Sequence, residues 1–139
     1  MNRLELVLIN WAPYVLSLLR IVAGFLFLQH GMQKLFGYPS APPGGKPPLA
    51  SLYGVAGILE FFGGILIMLG LLTRPVAFLL SGQMAFAYFT VHAPEGFWPA
   101  KNEGESAVVF CFIFLFLVFA GSGPWSIDAL LFGGSWLYF

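Results

Sequence analysis

The chain contains a single cysteine, Cys111, so no internal disulfide, Cys-x-x-Cys redox pair or thiolate metal cluster can form within it. Its two histidines, His30 and His92, stand far apart and show no metal-ligand spacing. Charge is scarce: Asp, Glu, Lys and Arg make up 9% of residues, against roughly 25% in soluble domains. The six basic residues are scattered singly and the net charge is zero, which leaves no basic stripe to neutralise phosphates and excludes nucleic-acid binding. A glycine-rich phosphate loop after a strand, a c-type haem sequence and a serine elbow are all missing. Neither metal nor haem is expected, and any redox chemistry has to borrow its carrier, either a lipid-soluble quinone or a partner's centre.

What is present is apolar. Hydrophobic residues make up 59% of the 139, enough for one compact domain in lipid and no separate soluble one. Residues 75–94 and 106–127 carry no charge at all, and each can supply the about 20 residues that a spanning helix needs. Two earlier runs, from Pro13 to Phe36 and from Leu49 to Leu72, are apolar apart from Arg20, Lys34 and Glu60. The expected fold is therefore an all-α membrane protein, an antiparallel bundle of four transmembrane helices at about 13–36, 49–72, 75–92 and 104–121.

The connections fit that reading. Gly37–Pro48, with five prolines and Gly44-Gly45, is a Pro/Gly-rich loop between the first and second helices. Thr73-Arg74-Pro75 is a tight turn with proline where a helix tolerates it. The segment Ala93–Gly104 places Phe97 and Trp98 at headgroup level, and the tail 125–139 reads as an interfacial helix or a docking segment. Four spans put both termini on one side. That side is assigned to the cytoplasm, although the basic residues are evenly divided: Arg3, Arg20 and Arg74 against Lys34, Lys46 and Lys101. Glu5 and the lack of a small-x-small site argue against a cleavable leader.

An internal echo links Arg20-x-Val22-Ala23-x-x-Leu26-x-x-Gln29 to Arg74-x-Val76-Ala77-x-x-Leu80-x-x-Gln83. It is either a duplicated two-helix hairpin or a chance identity among common membrane residues.

Charges inside spans are costly and usually face the protein interior. Arg20 and Glu60 are expected to pair across the first two helices, either as a clamp that fixes register or as the floor of a polar cavity. Gly57 and Gly64 bracket Glu60 on one helix face and permit close packing. Toward the loops, Ser81, Ala85, Tyr88 and His92 on one face of the third helix, Glu105 at the start of the fourth and Lys34 at the end of the first form a second candidate cluster, with His92 and Glu105 fit to shuttle protons at its mouth, while His30 flanks the stripe of Arg20, Gly24, Phe27, Gly31 and Lys34 on the first helix. Ordinary interfacial roles would explain the same residues: Lys34 snorkels, Glu105 favours a helix N-terminus and His92 ends a helix.

Several ordered motifs carry a family resemblance: Arg20 with Gly24, His30-Gly31-Met32-Gln33-Lys34-Leu35-Phe36-Gly37, Glu60-Phe61-Phe62-Gly63-Gly64, Leu69 to Arg74, Val91-His92-Ala93-Pro94, Gly104-Glu105 and Gly121 to Asp128. Together they resemble the DoxX family. The resemblance implies a four-helix integral protein of the prokaryotic inner membrane, often described as a subunit of a membrane oxidoreductase, with namesake members linked to thiosulfate oxidation and quinone reduction. On this reading Glu60, Arg20, His92 and Glu105 carry the chemistry, and Lys34, Tyr88, His30 and Gly64 contact a quinone-like molecule. Membrane lipid and a partner subunit or further copies are the expected neighbours. Two other classes remain open, a structural or assembly subunit and a carrier of a small solute or lipid.

Overall fold

A computed structural model describes residues 1–132, which are helix, turn and loop with no strand among them. The helices are α1 (Arg3–Phe36), α2 (Leu52–Leu69), α3 (Thr73–Ala87), α4 (Pro99–Asn102), α5 (Glu105–Ala120) and α6 (Ile127–Leu131). A π-helical turn, Tyr88–His92, and a 3-10 turn, Ala93–Glu95, extend α3 into a 23-residue rod. That rod, α1 and α2 are each long and apolar enough to cross a membrane, whereas α5 is equally apolar but 16 residues long. Residues 133–139, the end of the tail expected at the interface, lie outside the described residues.

α1 begins ten residues earlier than hydropathy places it. Asn2 accepts from the Glu5 N–H at 2.8 Å and the Glu5 carboxylate accepts from the Asn2 N–H at 2.8 Å, a reciprocal cap that starts the helix ahead of Pro13. The helix then runs through Pro13, which removes one intrahelical donor without ending it.

Two antiparallel hairpins make the fold. In the first, α1 and α2 touch backbone to backbone at glycines. A methyl at Gly24 would stand 2.6 Å from the Met68 nitrogen, one at Gly64 would stand 2.7 Å from the Leu28 nitrogen, and one at Gly31 would strike the Phe61 backbone. Gly57 lies against the Lys34 β-carbon, so rising positions on α1 meet falling positions on α2. In the second hairpin the Ser81 hydroxyl donates to the Cys111 carbonyl at 2.9 Å and joins α3 to α5. Phe27, Ile67, Leu80, Phe114 and Leu117 fill the space between the hairpins, with Phe27 edge-on to Phe114 at 4.8 Å.

The expected Arg20–Glu60 pair does not form. The glycine register sets Glu60 opposite Gly31, about eleven residues along α1 from Arg20, a rise of about 16 Å that the side chains do not bridge. The fully buried Arg20 guanidinium instead donates to main-chain carbonyls: Ser122 at 2.7 Å, Ile67 at 2.5 Å, Met68 at 2.7 Å, and Trp125. Ile67 and Met68 belong to the last turn of α2, which the Gly70 N–H closes by donating to the Ile67 carbonyl, and Arg20 adds to that cap donors supplied by a neighbouring helix. Arg74 does the same for α5, donating to Phe119 at 2.8 Å and to Val118. The two arginines of the sequence echo therefore do equivalent work in equivalent hairpins.

The turn between α2 and α3 completes this end. Leu72 sits at φ 52, a left-handed conformation unusual for a non-glycine residue, and has no side chain to cap α3. Asp128, fully buried on α6, takes that role: its carboxylate accepts from the Leu72 N–H at 2.8 Å and the Thr73 N–H at 3.0 Å. The first part of the tail is thus a docking segment, tied further by the Trp125 N–H donating to Ser17 Oγ at 3.1 Å. Asp128→Ala is expected to lower stability by about 1–2 kcal/mol, the upper range for losing a helix cap, with Asp128→Asn retaining part of it; thermal unfolding in detergent reads both.

Candidate functional site

The α1–α2 register that carries Arg20 away from Glu60 brings Lys34 to it. The Lys34 ammonium lies 2.6 Å from Glu60 Oε1, with the lysine side chain 15% exposed and the glutamate 3%. The ammonium also stands 4.5 Å from the centre of the Tyr53 ring, a cation–π contact that holds the lysine stem along α2. Gln83 of α3 joins the pair: its Nε2 donates to Glu60 Oε1 at 3.2 Å and to the Ala56 carbonyl at 3.4 Å. Glu60 Oε2 and Gln83 Oε1 are both buried without a hydrogen-bond partner among the described residues.

This cluster borders two cavities. A cleft of about 700 Å³ opens between α2 and α3, walled by Val55, Leu59, Phe78, Leu79 and Phe86, with Lys34, Glu60 and Gln83 as its polar end. It exists because the hairpins meet more loosely across α2 and α3 than the helices do within each hairpin. A second pocket of about 350 Å³ also borders the cluster; His30, Gln33, Ser40, His92 and Ser106 line it with Lys34 and Glu60, among apolar residues such as Phe27, Met84 and Phe110. The carboxylate and its lysine thus line both spaces, of which the second is the more polar.

The residues expected from the sequence divide between this cluster and other tasks. His30 lies in the polar pocket, edge-on to Phe110 at 6.1 Å. His92 lines the same pocket, with Nδ1 at 3.0 Å from the Asn102 carbonyl. Tyr88 turns away: its ring stacks on His92 and its hydroxyl donates to the Phe97 carbonyl, so it pins the α3–α4 loop and lines neither cavity. Gly64 is a contact with Leu28 of α1 and also lines neither. Glu105 is an exposed acidic residue in the first turn of α5, where the helix dipole favours it. Arg20 serves the far end of the bundle.

Gln83 was visible in the sequence only as part of the echo. The further signal was the register: with Gly31 and Gly57 as contact points, Lys34 on α1 has to fall beside Glu60. Asn102, buried on α4, is a second residue that hydropathy hides. Its amide donates to the Gly96 carbonyl at 2.5 Å and its oxygen accepts from the Gly104 N–H at 2.8 Å, which shapes the loop that presents His92.

The family model for DoxX matches residues 15–93, the stretch that contains Lys34, Glu60, Gln83 and His92. The chain belongs to the DoxX family. Among curated relatives, an uncharacterized protein of Haemophilus influenzae is 42% identical over 132 residues, covering 92% of this chain and 96% of its own length. The inner membrane protein YqjF of Escherichia coli is 32% identical over 126 residues, covering 81% and 88%. An uncharacterized membrane protein of Mycobacterium tuberculosis is 30% identical over 129 residues, covering 81% and 78%. No solved structure matches the chain. This DoxX protein is accordingly a membrane protein, similar to proteins described as residents of bacterial membranes.

A buried carboxylate stripped of its cation is far more costly than a buried pair replaced as a unit. Lys34→Met is expected to lower stability by about 3 kcal/mol or more, while Lys34→Met combined with Glu60→Met recovers most of the loss. A double-mutant cycle on denaturant unfolding in detergent measures the coupling, and additive effects would show that the pair is not coupled.

Proposed function

We propose that this protein is an integral subunit associated with a respiratory-type oxidoreductase of the bacterial inner membrane, and that it holds a quinone or similar small amphipathic molecule in the α2–α3 cleft. In this reading α1, α2, the extended α3 and α5 form a four-helix antiparallel transmembrane bundle with both termini on the cytoplasmic side, assembled with a partner subunit or further copies. The observation that carries the proposal is the position of Glu60: a nearly fully buried carboxylate that lines both an apolar cleft and a second, more polar pocket.

The cleft volume falls in the usual range for small-molecule sites, about 300–1,000 Å³, and its make-up of apolar walls with a few convergent polar groups is the usual one. Phe78, Leu79 and Phe86 on its rim are exposed, which suits entry from the hydrocarbon layer. Lys34 supplies a donor for a carbonyl oxygen, and Glu60 supplies a proton acceptor at the same point. His30 and His92, which line the second pocket, are the groups by which a proton leaves toward the loops. Electrons pass to or from a partner's centre. Arg20 and Glu105 support the architecture in this scheme and do not touch the ligand.

One observation favours a second reading, a carrier for a small solute or lipid: Lys34, Tyr53, Glu60, Ala87 and Val91 line both cavities. Movement of cargo through the pair would then replace proton exchange, and uptake into sealed vesicles would detect it.

Gentle extraction and native mass spectrometry are expected to reveal a retained quinone-sized molecule. Glu60→Gln is expected to weaken its binding by about tenfold or more, the effect of losing a charge-assisted hydrogen bond. Unchanged affinity in a correctly folded Glu60→Gln protein would overturn the assignment.

A further inference from the structure

Glycines lie inside three of the helices, two in α1, four in α2 and one in α3, and all but one are closed in: a methyl at Gly24, Gly31, Gly54, Gly57, Gly63 or Gly64 would stand under 3.0 Å from an atom of another element. Gly82 is the exception, since a methyl there would meet nothing within 4 Å. Glycine is a poor residue for a helix interior, and close helix contact offsets that cost at the other six; at Gly82 no protein atom uses the space. The open space belongs to the cleft, which Gly82 lines. Ser81 bonds to α5 and Gln83 to α2, so Gly82, between them in the chain, falls on the outer face of α3, opposite the buried Ala77, Leu80 and Met84. Phe78 and Phe86, 70% and 57% exposed, stand one turn to either side of it in the same row. The cleft therefore does not stop at the α2–α3 seam. Its lining runs from Val55 and Leu59 of α2, over the Phe78–Gly82–Phe86 row, to Leu115 of α5.

We propose that the ligand of this cleft carries an apolar chain on its polar head, and that the chain runs from the Lys34 end across the outer face of α3, through the notch at Gly82, toward Leu115. The inference rests on the ligand site proposed above. The direction follows from the distribution of polar groups: Lys34, Glu60 and Gln83 meet on the α2 side, and beyond the phenylalanine row the cleft reaches Leu115. A chain in the notch covers bare α3 backbone and packs between two aromatic side chains. In lipid the gain is one of close packing, because contact with the protein competes with contact with acyl chains that are equally apolar. A side chain at position 82 would stand where the chain lies. A ring without a chain occupies the polar end and leaves the notch empty. Gly82 is on this account a specificity-determining residue, one that reads the chain and not the head.

The test uses the full-length purified protein in detergent, titrated with a decyl ubiquinone analogue and with the same quinone ring carrying no chain. Partition of the chain into the micelle is common to every variant, so the quantity read is the affinity advantage of the chain-bearing form, compared between proteins. Gly82→Leu is expected to cut that advantage by about tenfold, the effect of forcing a side chain into an occupied space, and Gly82→Ala severalfold, with the affinity of the chainless ring unchanged in both. Because a β-carbon at Gly82 meets no protein atom, Gly82→Ala is expected to unfold thermally at or above the midpoint of the unaltered protein. A lowered midpoint would show that the glycine serves packing, and an unchanged advantage would show that the notch holds only bulk lipid chains; either result overturns the inference and leaves the ligand site standing. Equal loss for both ligands would put the head at Gly82 and overturn it as well. Failure of both ligands to bind the unaltered protein would remove the site and the inference together. Gly82→Ala adds a single methyl group, so the comparison decides the matter even if Gly82→Leu fails to fold.

Discussion

Direct backbone contact between α1 and α2 is the constraint on which the rest of the structure depends. Gly24 and Gly64 allow no side chain between the two helices, and Gly31 presses on the Phe61 backbone. With no hydrophobic driving force between helices in lipid, close approach of this kind supplies much of the association energy and leaves little freedom of register. Once the register is fixed, so is the partner of every long side chain on the facing surfaces. Lys34 lies beside Glu60 because Gly57 makes room for its stem, and Arg20 lies beside the last turn of α2 because it stands too far along the helix to reach Glu60.

Burial in apolar surroundings then sorts the charges into two kinds. Arg20 has donors directed at four carbonyls, two of them from the last turn of α2, and Asp128 uses both oxygens on the amides that open α3. Such groups are spent on architecture: they satisfy helix termini that would otherwise be bare in a medium with no water to help. Glu60 is different, since one oxygen carries two donors and the other carries none, beside a cleft large enough for a ligand. Function is better sought where a buried polar group is left partly unanswered than where the charge is deepest.

That distinction marks how far the sequence could be read. The charge-free stretches located α3 and α5 to within a few residues, and the glycine-flanked Glu60 was recognisable as an interior residue from its composition alone. The start of α1 was missed because hydropathy registers Pro13 and ignores the Asn2–Glu5 cap. Pairing Arg20 with Glu60 was a judgement from charge and approximate depth, and depth counted from span centres carries an error of more than a helical turn; the glycine contacts that correct it are a property of two helices together. The roles of Tyr88 and Asn102 lay further out of reach, because each answers a loop carbonyl whose position depends on the folding of residues 93–104.

The echo between the hairpins lets the two halves of the bundle be compared. Arg20 and Arg74 hold equivalent stations, each on the C-terminal carbonyls of its partner helix, so the hairpins can be compared position by position. The place of Lys34 is taken in the second hairpin by Tyr88, and the place of Glu60, measured from the arginine-bound carbonyls, by Cys111. Tyr88 reaches outward to the Phe97 carbonyl, and the Cys111 carbonyl is taken by Ser81, so no charge is left inside that half. The first hairpin, packed backbone to backbone at its glycines, keeps an ion pair at the matching position, a pair that cannot be packed over by aliphatic groups without a penalty. The cleft lies beside that pair, where α2 faces α3. A shared hairpin plan thus carries a buried ion pair in only one copy, and the polar end of the cleft is built on that copy.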